Sequence, residues 1–177
     1  MADLISGVGI LPITTARPIQ GLTPAPLNFP GDSSATYYEG LPVIFTAGLI
    51  EPAASPVANT GSLVGFVNGK GVGALTGAFP AGALEVDGSI TVMPAVALLV
   101  FEGTIDTSAA FGTGTIAVTD MGSSYDLLQD ATSKNYYVNK NSTANAIARI
   151  VGFKDPVGTV QGRVYFVIAP SKTLLGS

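Results

Sequence analysis

"ARIVGFKDPVGTVQGRVYFVIAP", residues 148–170, reads as two β-strands joined by a loop. In "IARIVGF", Ile147, Arg149, Val151 and Phe153 alternate with Ala148, Ile150 and Gly152. In "RVYFVIA", Val164, Phe166 and Ile168 alternate with Arg163, Tyr165 and Val167. Successive side chains of a strand point to opposite faces, so a one-sided strand should be polar on alternate residues. Here both faces are mostly apolar, which predicts protein on both sides: a central strand of a sandwich or barrel, or a strand at a subunit contact. The strands are expected over Ala146 to Phe153 and Arg163 to Ala169. The connection "KDPVGTVQG" is too long for a two-residue turn.

Further strands follow outward from this hairpin. "YYEGLPVIFTAG" gives Leu41 to Ala47, with Pro42 at the start of the strand, where proline is tolerated. "NTGSLVGFVNGKGVG" gives Ser62 to Val67 and then the turn signal Asn68-Gly69. "GSITVMPAVALLVFEG" gives one long strand, or two broken near Pro94. "GTGTIAVTD" alternates over Thr115 to Thr119, and Tyr136, Tyr137 and Val138 are good sheet formers. "SSYDLLQDAT" fits two helical turns or a polar strand. Short strands punctuated by Gly and Pro predict an all-β chain, a β-barrel or a sandwich.

The first 33 residues differ. Pro12, Pro18, Pro24, Pro26 and Pro30 exclude a helix or a central strand and favour an extended path. The apolar residues between them, Ile10, Leu11, Ile13, Ile19, Leu22, Leu27 and Phe29, are not those of a solvated linker. Residues 1–33 are therefore read as an arm lying along a surface, its own or a neighbour's, and 34–177 as one β domain.

Composition narrows the chemistry. The 177 residues contain no Cys, His or Trp. The commonest general base is missing, together with imidazole and thiolate metal ligands. A Ser nucleophile lacks its usual partner, and Ser–Lys pairs with Lys70 or Lys134 have no supporting motif. "NGKGVG" (68–73) lacks the spacing of a phosphate loop and the helix after it, and reads as a turn. Glu85 and Asp87 are too few oxygen donors for a calcium loop. Glu39, Glu51 and Glu102 are the remaining acids for a glycosidase-type pair. No cofactor is expected.

Charged residues make up 11% of the chain, against about 25% in ordinary soluble domains. Cores of protein interfaces share this depletion. Residues 1–133 hold two basic and eleven acidic groups, −9, while 134–177 hold six basic and one acidic, +5. Six cations in that stretch are too thin for a nucleic-acid footprint. They are ordinary surface charge, or they face the acidic region of a neighbouring subunit and set register. No secretion signal is seen: Asp3 stands where a cation is wanted, and Gly7, Gly9 and Pro12 break the apolar run. The longest apolar run, Ile90 to Phe101, is far below the roughly 20 residues of a membrane helix.

From Tyr38 on, the order "EGLPVIFTAGLI", "TGSLVGFVNGKGVG", "KNYYVN", "ARIVGFKDP…QGRVYFVIAP" resembles the decoration, or cement, proteins of tailed-bacteriophage capsids. The resemblance covers about 140 residues, and its motifs are structural. It implies a compact β-barrel or β-tulip, with a jelly-roll-like sandwich the neighbouring alternative. It also implies a homotrimer over the seams of major capsid proteins, made in the host cytoplasm and carried on the virion surface. No nucleic acid, membrane, ligand or catalytic residue comes with it. The proline-rich arm departs from the shortest members. The expected assembly contacts are Pro18, Leu22, Pro24, Pro26, Leu27, Phe29, Pro30, Arg149 and Arg163. The alternative is a β-rich fibre or appendage subunit that assembles through its arm, told apart by deleting residues 1–33.

Overall fold

The computed structural model describes residues 14–18, 25–32, 35–38, 40–57, 63–69, 79–80, 89–96, 99–107, 112–131 and 135–174. The chain is all-β, with two main sheets. The first holds β1 (Thr14–Pro18), β9 (Leu99–Asp106), β10 (Ser124–Gln129), β11 (Tyr136–Asn139), β12 (Ala148–Phe153) and β13 (Arg163–Ile168). Its order is β1-β9-β11-β10-β12-β13, and β9 also pairs with β13, so β9 to β13 close into a five-stranded barrel. β9 makes this possible by its length. One edge is filled by β13; the other is shared by β1 near Leu99 and, in parallel, by β11 at Ile105 and Asp106.

The second sheet is antiparallel, in the order β2 (Leu27–Pro30), β8 (Ser89–Pro94), β6 (Leu63–Gly69), β4 (Pro42–Thr46), β5 (Leu49–Pro52). Its outer strands touch through a bridge between Gly31 and Ile50. A two-stranded ladder joins β3 (Thr36–Tyr37) to β7 (Phe79–Pro80). The two main sheets share one apolar core. Phe66 of β6 lies 4.7 Å from Phe101 of β9 and 6.4 Å from Phe166 of β13, ring centre to ring centre. Tyr136 donates to the Ala53 carbonyl at 2.8 Å, a second tie between the sheets. Burial pushes its hydroxyl up to about 12, so it stays a donor.

The barrel form of the expected all-β class is what the chain adopts. Pro18 and Pro30 both end edge strands, as proline requires. Of the two forms open to the Ile90–Phe101 run, the one broken near Pro94 is adopted, with one strand in each sheet. Other local expectations are corrected. Residues 115–119 are not a strand: Thr115 makes one bridge to Val160, and Val118–Asp120 is a 3-10 turn. Of the helix and the polar strand open to residues 124–129, the strand forms, as Ser124–Gln129. β12 carries a bulge between Ile150 and Gly152. Val151 is extruded outward, and Phe153 turns in against the core rather than sharing a face with Arg149. Among the described residues the inner face of this hairpin is the buried one: alternate residues along β13 are buried and the others half-buried, and Arg149 and Val151 of β12 are exposed.

Candidate assembly surface

The β9–β10 and β12–β13 connections and the start of the β11–β12 connection meet at one end of the barrel, where β9 and β11 run parallel and end together. Buried carboxylates hold these loops. Asp106 closes β9, and its Oδ1 accepts from the Thr107 and Gly114 amides, both at 2.7 Å. Its Oδ2 accepts from the Gly112 amide at 2.7 Å and from Gln161 Nε2 at 3.0 Å. Glycine is needed at both loop positions. Gly112 has φ +102, and a Cβ on Gly114 would lie 2.5 Å from the Asp106 Cα.

Asp120 accepts from the Ala117 amide (2.7 Å), the Tyr125 hydroxyl (2.8 Å) and Lys140 Nζ (3.1 Å). Asp126 accepts from Ser142 Oγ (2.6 Å) and from the amides of Asn145 (2.7 Å) and Ala146 (2.9 Å). Burial alone would raise the Asp126 pKa, but these hydrogen bonds outweigh it and hold the carboxyl below its ordinary value. Arg163, hydrogen-bonded to Asp155 at 2.9 and 2.7 Å, holds that carboxyl low as well. A carboxylate whose pKa is lowered on folding stabilises the fold above its unfolded pKa, and that share is lost as pH falls through the folded value. The denaturation midpoint is therefore expected to hold from pH 8 to 5 and to drop below about pH 3.9. Replacing Asp126 with Asn should flatten part of that drop, as followed by urea melts across pH.

The loops so fixed carry exposed apolar side chains. Val118 is 71% exposed, Met121 48%, Val157 54% and Val160 51%. The two segments that bear them are bonded to each other. The Ile116 amide donates to Thr159 O at 3.1 Å, Gly158 to Ile116 O at 2.8 Å, and Gln161 to Gly114 O at 2.7 Å. Ile116 itself is buried beneath. The result is a rim of four apolar residues on a backbone that needs little ordering to make contact, the condition under which apolar area converts best to affinity. Sequence reading missed this rim, taking residues 115–119 for a strand and 154–162 for a plain connection.

The expected contact residues that the structure describes lie on other parts of the chain. Leu22 and Pro24 lie outside the described residues, as do Glu39, Lys70, Glu85, Asp87 and Lys134. Pro18 ends β1 opposite Leu99. Pro26, Leu27 and Pro30 are exposed along β2, and Phe29 meets the Phe45 ring edge-on at 5.3 Å. Arg149 is exposed on the barrel wall. Arg163 is spent inside its own chain on Asp155, with Glu102 at 3.9 Å. Glu102 is also held by Lys154 at 2.6 Å. Three of the six C-terminal cations, Lys140, Lys154 and Arg163, are thus neutralised within the chain. Among the described residues no group of three acids, histidines or cysteines is placed to hold a metal.

No protein-family model matches the chain, and neither a curated protein nor a solved structure does.

Proposed function

We propose that this chain is a structural virion protein that binds the outer surface of a phage capsid, holds seams between major capsid proteins, and performs no chemistry. The observation that carries the reading is the apolar rim of Val118, Met121, Val157 and Val160 on carboxylate-pinned loops. Such a protein needs shape and apolar area across a seam. Repeated copies multiply a modest single contact. The low charge of the whole chain suits the same role.

Mixing the protein with capsids that lack it should give co-sedimentation and added density over subunit seams in electron micrographs. The triple variant Val118→Asp, Val157→Asp, Val160→Asp changes only exposed side chains, so its circular dichroism and melting should be retained. Its capsid binding should fall by at least about 100-fold, since central apolar contacts dominate such interfaces. A monomer that ignores capsids would overturn the reading.

One observation favours the fibre reading: β1, drawn from the N-terminal segment, is an edge strand of the barrel sheet. An equivalent strand from a neighbour would fit the same place. Deleting residues 1–33 would stop polymerisation of a fibre subunit.

A further inference from the structure

The charges around the apolar rim are spent within the chain, with one exception. Residues 112–123 and 154–162 contain three charged side chains, Asp120, Lys154 and Asp155. Asp120 is buried against Lys140 at 3.1 Å, and Asp155 is paired with Arg163 at 2.7 Å. Lys154 reaches back along the barrel wall to Glu102 at 2.6 Å. Glu102 lies on β9 about 13 Å along the strand from Asp106, so this cation leans away from the rim. The two acid–base pairs on the wall sum to zero charge. The other exposed side chains of the two segments include Thr119 and Pro156, which are uncharged. Arg149 is the exception. The Gly122 amide donates to the Ile150 carbonyl at 3.0 Å, and the Ile150 amide to the Ser123 carbonyl at 2.9 Å. This lays the Met121 turn along β12, where the extruded Val151, 41% exposed, continues the apolar surface. Arg149 comes next on the same wall, opposite Ser124. It is exposed and makes no salt bridge among the described residues.

We infer that the rim seats on an uncharged apolar patch of the major capsid protein, bordered at its Met121 edge by a carboxylate that meets Arg149. The inference rests on the capsid reading and names the chemistry of the partner. A charged group under the rim itself would lose its water and find no free counter-ion. An anion at the Met121 edge finds one, and a single pair at the border of an apolar contact sets register. A second copy docked through the same rim would offer Arg149 only acids that are already paired. A lipid surface is disfavoured, because the large exposed apolar side chains among the described residues include no aromatic anchor.

The test is a co-sedimentation titration of the full chain on capsids that lack it, from about 0.1 to 1 M NaCl. Wild-type affinity should fall by less than about fivefold over that range, the worth of one exposed ion pair. Arg149→Gln should weaken binding about two- to fivefold at low salt and flatten the salt dependence. Arg149→Glu should weaken it about tenfold and recover in part as salt screens the repulsion. Val157→Lys and Val157→Glu should lose affinity alike, within about threefold of each other, because an uncharged patch strips water from either sign. The salt series on the wild type needs no variant, so a variant that fails to fold leaves the test standing. A wild-type loss beyond about tenfold, a Val157 variant of one sign that binds as well as wild type, or an Arg149→Glu without effect would overturn the inference and leave the capsid reading intact. No capsid binding at any salt would sink that reading, and the inference with it. Flotation with phosphatidylcholine or phosphatidylglycerol vesicles, or self-association, lost in the Val118→Asp, Val157→Asp, Val160→Asp variant, would give the rim to lipid or to a second copy and overturn the inference as well.

Discussion

Asp106→Ala is expected to cost about 3–5 kcal/mol of folding stability, among the largest losses from a single side chain outside the apolar core. The carboxylate is fully buried and accepts from three backbone amides and the Gln161 side chain. A buried donor left without a partner costs about 1–3 kcal/mol, and water entering the lifted loop recovers part of the sum. Urea denaturation should show the loss, and a thermal melt should fall by roughly 10 °C for a domain of this size. Hydrogen exchange at the Gly112 and Gly114 amides should rise first, because they lose their acceptor directly. Asp106→Asn keeps one acceptor oxygen and should cost less. A loss under 1 kcal/mol would show that the loop is held by something other than this carboxylate.

Phe66→Ala is expected to cost about 3–5 kcal/mol, the range for removing a buried aromatic ring. Phe66 is the second sheet's contribution to the Phe66–Phe101–Phe166 cluster, and its loss opens a cavity where the two sheets meet. Phe66→Leu, which refills most of the volume, should cost under about 1.5 kcal/mol. Calorimetry of the wild type should give one transition, since a single core spans both sheets. Two separate transitions, or a Phe66→Ala loss below 1 kcal/mol, would mean that the sheets fold as independent bodies.

Much of the strand inventory was legible because alternation is a local signal. The 148–168 hairpin follows from it directly, while β4 and β6 are legible as short runs bounded by Gly and Pro, and β11 by its sheet-forming residues. β5 escaped notice because it is four residues long and its turn is unorthodox. Ala47 takes φ +51 before Gly48 at +88, whereas Asn or Asp would have announced such a turn. Residues 124–129 stayed ambiguous between helix and strand, and pairing with β11 and β12 on its two edges decides for strand. The bulge at Val151 has no sequence signature, yet it decides which residues of β12 face out.

The candidate surface was less legible. Asp106, Asp120 and Asp126 resemble any surface acids in the sequence. Their donors include Gln161, Lys140 and Ala146, which are 55, 20 and 20 residues away in the chain, so only the closed barrel shows their role. The same folding consumed Arg163, which reads as a free cation until Asp155 is seen beside it.

The sequence by itself determined that the chain is all-β, because period-two alternation broken by Gly and Pro admits little else. It also determined that histidine and cysteine chemistry is excluded. Tertiary structure alone decided that β9 closes the barrel against β13, that three aspartates are buried, and that the apolar residues of two loops point out. Side-chain alternation is written between neighbours in the chain. Which strand pairs with which, and which acid meets which amide, is set by register between segments far apart, where no local pattern reaches.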